Sequence, residues 1–230
     1  MSFQDQLVQR TATQREYLLA APVIQQALAG HITPGTYVAF LTQAYHHVRH
    51  TVPLLMAVGS RLPDRLAWLQ PQLIHYLEEE QGHDQWILSD IEAAGSDRSG
   101  AVQSQPDIAT SAMVAFAYDM VTRRNPAGFF GMVHVLEGTS VALALRAADQ
   151  IQGTLGLPNR AFTYLRSHGA LDQEHVQHLA GILERFDCDE DRDAVVHCAQ
   201  SIFWLYGSMF HRLAGNPATL EQRSEVRKIA

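Results

Sequence analysis

TPGTYVAFLTQAYHHV, residues 33–48, admits one reading of its apolar spacing. Tyr37, Phe40, Leu41, Ala44, Tyr45 and Val48 fall at i, i+3, i+4, i+7, i+8 and i+11, which is one face of an α-helix and never the alternation of a strand. Thr33 followed by Pro34 marks the start: a hydroxyl that caps the first free N–H groups, then a proline where its missing N–H does no harm. The same spacing recurs along the chain, and no segment alternates convincingly. Asn125-Pro126 repeats the start signal, whereas Gly95, the 153–158 stretch and Asn216-Pro217 read as stops. The pattern predicts an all-α fold, a compact bundle of seven helices over 3–28, 34–60, 64–94, 106–124, 126–151, 158–184 and 189–214. Pro53 is expected to kink the second of them. Residues 95–106 read as a polar surface loop and the last ten as a solvated tail or short helix.

A chain of 230 residues with 47% hydrophobic residues suits one domain, 1–230, around one large core. A formal charge of -7 with 17 Lys+Arg, and no basic run, excludes the electrostatic footprint of a nucleic-acid binder. No uninterrupted apolar run approaches the length of a membrane span and the polar start has no signal core, so a cytoplasmic protein without membrane contact is expected. Cys188 and Cys198 show no zinc-ribbon or CxxC spacing and read as free structural thiols.

Against this background SHGALDQEHVQHL, residues 167–179, is unusual. At about 100° per residue His168, Asp172 and His175 lie within roughly 60° of one another on a helix. The same side carries Leu165, Leu171 and Leu179, so the three polar groups interrupt an apolar stripe. Facing a core, they must be hydrogen-bonded to one another or bound to metal. YLEEEQGHDQWIL (76–88) repeats the chemistry: Glu80 and His83, three apart, offer an oxygen and a nitrogen from one helix face. In the strongly apolar FFGMVHVLEGTSVALAL (129–145), Glu137 is the one acidic residue, and charged and unpaired it would cost several kcal/mol.

Together these are three carboxylates and three imidazoles. Mixed oxygen and nitrogen donors suit iron or manganese, whereas closed structural zinc prefers thiolates. Six side chains are too many for one ion with open positions and about right for two. Glu137 would bridge an ion held by Glu80 and His83 and one held by Asp172 and His175, with His168 completing one of them. The aromatic residues Tyr45, Tyr76, Phe129, Phe130 and Tyr206 are candidate pocket walls or simply core. For His46, His47 and His50, in AYHHVRH, surface or pocket-polar roles are expected.

EEEQGHDQWIL, HVLEGTSVALA and HGALDQEH, in that order and separation, resemble the haem-oxygenase-like diiron oxidases and oxygenases, a branch of the superfamily that also holds TenA-type thiaminases and pyrroloquinoline-quinone synthase. The resemblance covers about residues 35–210, and HxxxDxxH is its most specific part. It implies the haem-oxygenase-like (TenA-like) fold and two labile non-haem ferrous ions per chain, with manganese as a substitute. It also implies activation of dioxygen toward a small organic substrate, and a homodimer. Carried over by residue, the early histidine falls on His83, the central glutamate on Glu137 and the late set on His168, Asp172 and His175. The first carboxylate falls on Glu80, with Glu79 beside it; some members place it two turns before the histidine, where this chain has Tyr76. The alternatives are a metal-free TenA-like or quinone-synthase-like enzyme working by acid and base catalysis, or a binding protein that keeps the fold without chemistry.

Overall fold

The computed structural model describes the backbone of residues 1–214 and, within it, the side chains of 1–167 and 176–213. The 215–230 tail and the Asn216-Pro217 stop therefore lie outside the described residues. Among the described residues there is no strand, and twelve α-helices follow one another: α1 (Phe3–Arg10), α2 (Ala12–Leu19), α3 (Pro22–Leu28), α4 (Pro34–Val48), α5 (Thr51–Arg61), α6 (Gln70–Glu80), α7 (His83–Ala93), α8 (Arg98–Gln103), α9 (Ile108–Asp119), α10 (Phe129–Leu155), α11 (Thr163–Glu184) and α12 (Asp189–Ala214). The all-α reading holds; the count of seven does not.

The difference arises at junctions where apolar periodicity runs through a backbone break. The expected 3–28 helix is three, with α1 and α2 meeting at Thr11 and α3 restarting at Pro22. The second helix breaks after Val48, and Pro53 sits in the first turn of α5 instead of kinking a continuous helix. There its missing N–H belongs to the set that has no helical partner anyway. The third divides into a 3-10 turn at Asp64–Leu69, α6 and α7. The expected loop at 95–106 contains α8, begun by Asp97, whose carboxylate accepts the N–H groups of Ser99 and Gly100. At the expected starts, Thr33 Oγ1 accepts the N–H of Thr36 at 3.1 Å, and Asn125 Oδ1 accepts that of Ala127 at 2.9 Å.

α10 forms the middle of the bundle. It packs along α11 and α12 and also meets α3, which is why its sequence is apolar on nearly every side. Together with the turn before it, Pro126–Leu155 is long and apolar enough to cross a membrane by length and composition, which the sequence reading did not expect; half of its most apolar 18-residue window is buried inside the bundle. Gly131 permits the closest approach to α12: a Cβ there would overlap the Val195 carbonyl oxygen and stand 2.8 Å from the Ala199 nitrogen. α12 runs back across α2, α3, α4 and α9. The core extends from Phe3 on α1 to Phe210 on α12.

Candidate metal centre

Glu137 lies in the interior stretch of α10 and is 8% exposed. It lines a mainly apolar cavity of about 150 Å³. Glu80, the last residue of α6, lines the same cavity, so two acidic residues from different helices line one space. His83 is buried and its Nδ1 lies 3.0 Å from Glu80 Oε2. Its ring stacks on Trp86, with centroids 4.2 Å apart. A neutral imidazole that donates from Nδ1 keeps its lone pair on Nε2, the form in which histidine binds a metal.

Glu80 and His83 come together for a reason other than helical spacing. α6 ends at Glu80 and α7 begins at His83, with Gly82 at φ 92° between them. That left-handed conformation is one glycine adopts without penalty. The expected same-face pair of a single helix is thus a pair across a break, and the break aims both side chains at one contact. Glu79, the alternative first carboxylate, pairs with His75 at 3.4 Å.

The side chains of His168, Asp172 and His175 lie outside the described residues. Their helix does not: α11 packs along α10 and against α7, the helices that carry Glu137 and His83. Among the described residues no group of three or more His, Cys, Asp and Glu converges tightly enough to hold an ion alone. The donors that are described, two carboxylates on one cavity and a buried imidazole bonded to one of them, fit a cation with mixed oxygen and nitrogen preference such as iron.

The three early histidines have separate fates. His46 Nε2 is 2.8 Å from Ser104 Oγ, and His50 Nδ1 is 3.1 Å from the Tyr118 hydroxyl. Burial holds both imidazoles below their ordinary pKa, with the Arg49 cation adding to it. His47 instead lines the cavity, edge-on to the Tyr206 ring at 5.6 Å. Of the aromatic wall candidates, Tyr76, Phe129 and Tyr206 line the cavity, whereas Tyr45 and Phe130 are buried in the core.

Sequence reading passes over Asp90, which ties α7 to the start of α11. α11 begins without a capping side chain of its own. Asp90 of α7 supplies one across the fold: its fully buried carboxylate accepts the N–H of Thr163 at 3.0 Å and of Tyr164 at 2.8 Å. The start of the HxxxDxxH helix is thereby anchored to the helix that begins with His83. The signal was present, since Asp90 interrupts the apolar face of Ile87 and Ile91 much as Glu137 interrupts α10.

Burial pushes the Asp90 carboxyl from about 3.8 up to about 6, and its two backbone hydrogen bonds offset only part of that. A raised acid contributes stability that is present below its unfolded value and lost as pH rises through the folded one. Between about pH 4 and pH 7 the wild-type protein should therefore lose stability relative to Asp90→Asn. At pH 4 the variant should be the weaker, because one backbone N–H loses its acceptor. Denaturant melts at the two pH values check this, and parallel pH dependences would overturn it.

The chain matches a protein family described as iron-containing redox enzymes over residues 38–207. A domain of unknown function with a haem-oxygenase-like fold from Shewanella denitrificans is 26% identical over 92% of each chain, with a TM-score of 0.84. A TenA homologue from Pseudomonas syringae is 9% identical over 93% of each chain, with a TM-score of 0.76. Haem oxygenase from Synechocystis, solved in complex with haem, is 12% identical over 100% of each chain, with a TM-score of 0.72. At such identities the latter two show the fold alone. A comparison with curated proteins finds no match. With the match covering most of its length and the fold agreeing throughout, the chain belongs to the family of iron-containing redox enzymes and has the haem-oxygenase-like fold.

Proposed function

We propose that the protein is a non-haem diiron oxidase or oxygenase of the cytoplasm, acting on a small organic substrate with dioxygen. In this reading Glu80, His83, Glu137, His168, Asp172 and His175 hold two ferrous ions. The observation that carries it is the meeting of Glu80 and Glu137 on one apolar cavity, with His83 buried against Glu80. Oxygen and nitrogen donors gathered on one cavity suit a cation such as iron.

Ferrous ions held there would supply electrons to dioxygen, with the organic substrate, as the molecule oxidised, supplying the remainder. The chain's own residues do the rest. Glu80 orients the His83 ring through Nδ1, and the Trp86 ring stacked on it limits its rotation. The aliphatic wall keeps bulk water from the reacting carbon. His47, on the α4 side, is the imidazole placed to hold a proton for a bound molecule.

A TenA-like thiol mechanism finds less support. Cys198 is buried and its thiol is pushed up to about 12 by that burial, so it is not a thiolate near neutral pH. Neither Cys198 nor Cys188 lines the cavity. Haem binding would fall on His47 and would leave Glu137 without a role.

Anaerobic ferrous titration of metal-stripped protein, followed by mixing with oxygenated buffer, tests the proposal. About two irons per chain, and loss of that binding in Glu137→Ala and His168→Ala, are expected. No specific iron binding, or binding unchanged in both variants, would overturn it.

A further inference from the structure

The cavity runs far beyond its carboxylates. Its α10 wall extends from Phe129 to Ile151, and the 14 residues from Glu137 to Ile151 alone correspond to about 21 Å of helix. Along that length the wall changes character. Thr139 and Ser140 stand beside Glu137, and beyond them Ala144, Ala147 and Ile151 are purely apolar. The facing side comes from α3 and the turn after it, through Ile24, Ala27 and Ile32. That turn is tied to the end of α10 by Thr154, whose hydroxyl donates to the Gly30 carbonyl at 2.9 Å. Gly30 makes the turn at φ 72°, and a Cβ on it would stand 2.7 Å from Thr154 Oγ1.

Three properties of this arm define a ligand. The walls of the arm are aliphatic, through Ile24, Ala27, Leu143, Ala144, Ala147 and Ile151, which suits a hydrocarbon chain. Among the described residues no Lys or Arg lines any part of the cavity, so nothing would compensate a second charged group at the far end. The charged liners are Glu80 and Glu137, and the α10 wall from Leu143 to Ile151 is apolar. The ligand therefore has one polar head and one hydrocarbon tail.

We propose that the arm between α3 and α10 binds the unbranched aliphatic tail of a single-headed substrate, and that Ala27, Ala144 and Ala147 set the longest tail accepted. The inference rests on the diiron reading only for the position of the head, which that reading puts beside Glu80 and Glu137. The tail site itself requires no metal. Each methylene that enters the arm leaves water, and small side chains on both walls leave room for it.

Calorimetric titration of the full-length metal-stripped protein with straight-chain primary alcohols, from hexanol to dodecanol, tests the tail site. Affinity should rise about fourfold per methylene until the arm is full, and adamantanol should bind more weakly than decanol. Ala147→Leu and, from the opposite wall, Ala27→Leu should move the limit to shorter alcohols, with melting temperature confirming that each variant folds. A flat series, or a limit that neither variant moves, would overturn the inference. Iron stoichiometry on the same proteins separates the two readings. A chain-length series without iron binding sinks the diiron proposal alone, whereas two irons with a flat series sink the tail site alone.

Discussion

Glu137→Gln protein is expected to bind ferrous iron at least about a hundredfold more weakly than wild type while its metal-free form melts at the same or a higher temperature. Both effects follow from one placement. Glu137 is buried in a long, strongly apolar helix, and keeping a carboxylate ionised there costs free energy that its surroundings must offset. The amide is close to isosteric, fills the same space and carries no charge, so packing around α10 is retained. As a ligand it is poor, because a neutral amide oxygen offers far less to a divalent cation than a carboxylate does. A structural role for Glu137 predicts the opposite pair: unchanged iron affinity and a lower melting temperature. Metal titration and thermal melts on one preparation distinguish them. Gain of stability with loss of function is the usual signature of a site that carries strain for its chemistry.

Arg65→Ala is expected to cost about 3 kcal/mol, which for a chain of this size lowers the melting temperature by roughly 6–12 °C. The Asp191 side chain is 2% exposed and lies in the first turn of α12. Arg65 grips it with two bonds, Nε to Oδ2 at 3.1 Å and Nη2 to Oδ1 at 2.8 Å, and Asn125 Nδ2 donates to Oδ1 at 2.7 Å. Removing the arginine leaves a buried carboxylate with one neutral donor. The guanidinium itself is about half exposed, which places the cost at the lower end of the range for buried pairs. Arg65→Met combined with Asp191→Leu should recover most of the loss, since it removes the buried charge together with its partner. A loss below about 1 kcal/mol in Arg65→Ala would mean that the pair behaves as an exposed one. The junction also matters for the centre. Arg65 precedes α6, Asn125 precedes α10 and Asp191 lies in the first turn of α12, so these three side chains link the helices that end at Glu80 and carry Glu137.

The all-α character, the capped starts at Thr33 and Asn125, and the burial of Glu137 were legible in the sequence because each rests on local chemistry. A 3.6-residue period, a cap beside a proline and a lone acid in an apolar run have the same meaning wherever the helix is packed. Helix count was not legible. The side chains around Thr11, His50 and Gly82 keep their apolar rhythm while the backbone turns, and only packing against other elements determines whether a helix continues or restarts. Glu80 and His83 show the limit most clearly. Their spacing suggested one helix face, but a left-handed Gly82 between two helices brings them together, and the cavity shared with Glu137 comes from α6 and α10 meeting across the bundle. The partners of Asp90 and Asp191 were not readable for the same reason, although the break that Asp90 makes in an apolar face was visible. Each buried carboxylate is satisfied by donors far away in sequence, 73 and 74 positions on for Asp90 and 126 and 66 positions back for Asp191. Residue chemistry and helical period are thus properties of the chain by itself. Which buried acids become caps, which become ion pairs and which face a cavity was decided only when the helices packed, because a carboxylate removed from water takes whatever donor the fold brings within reach.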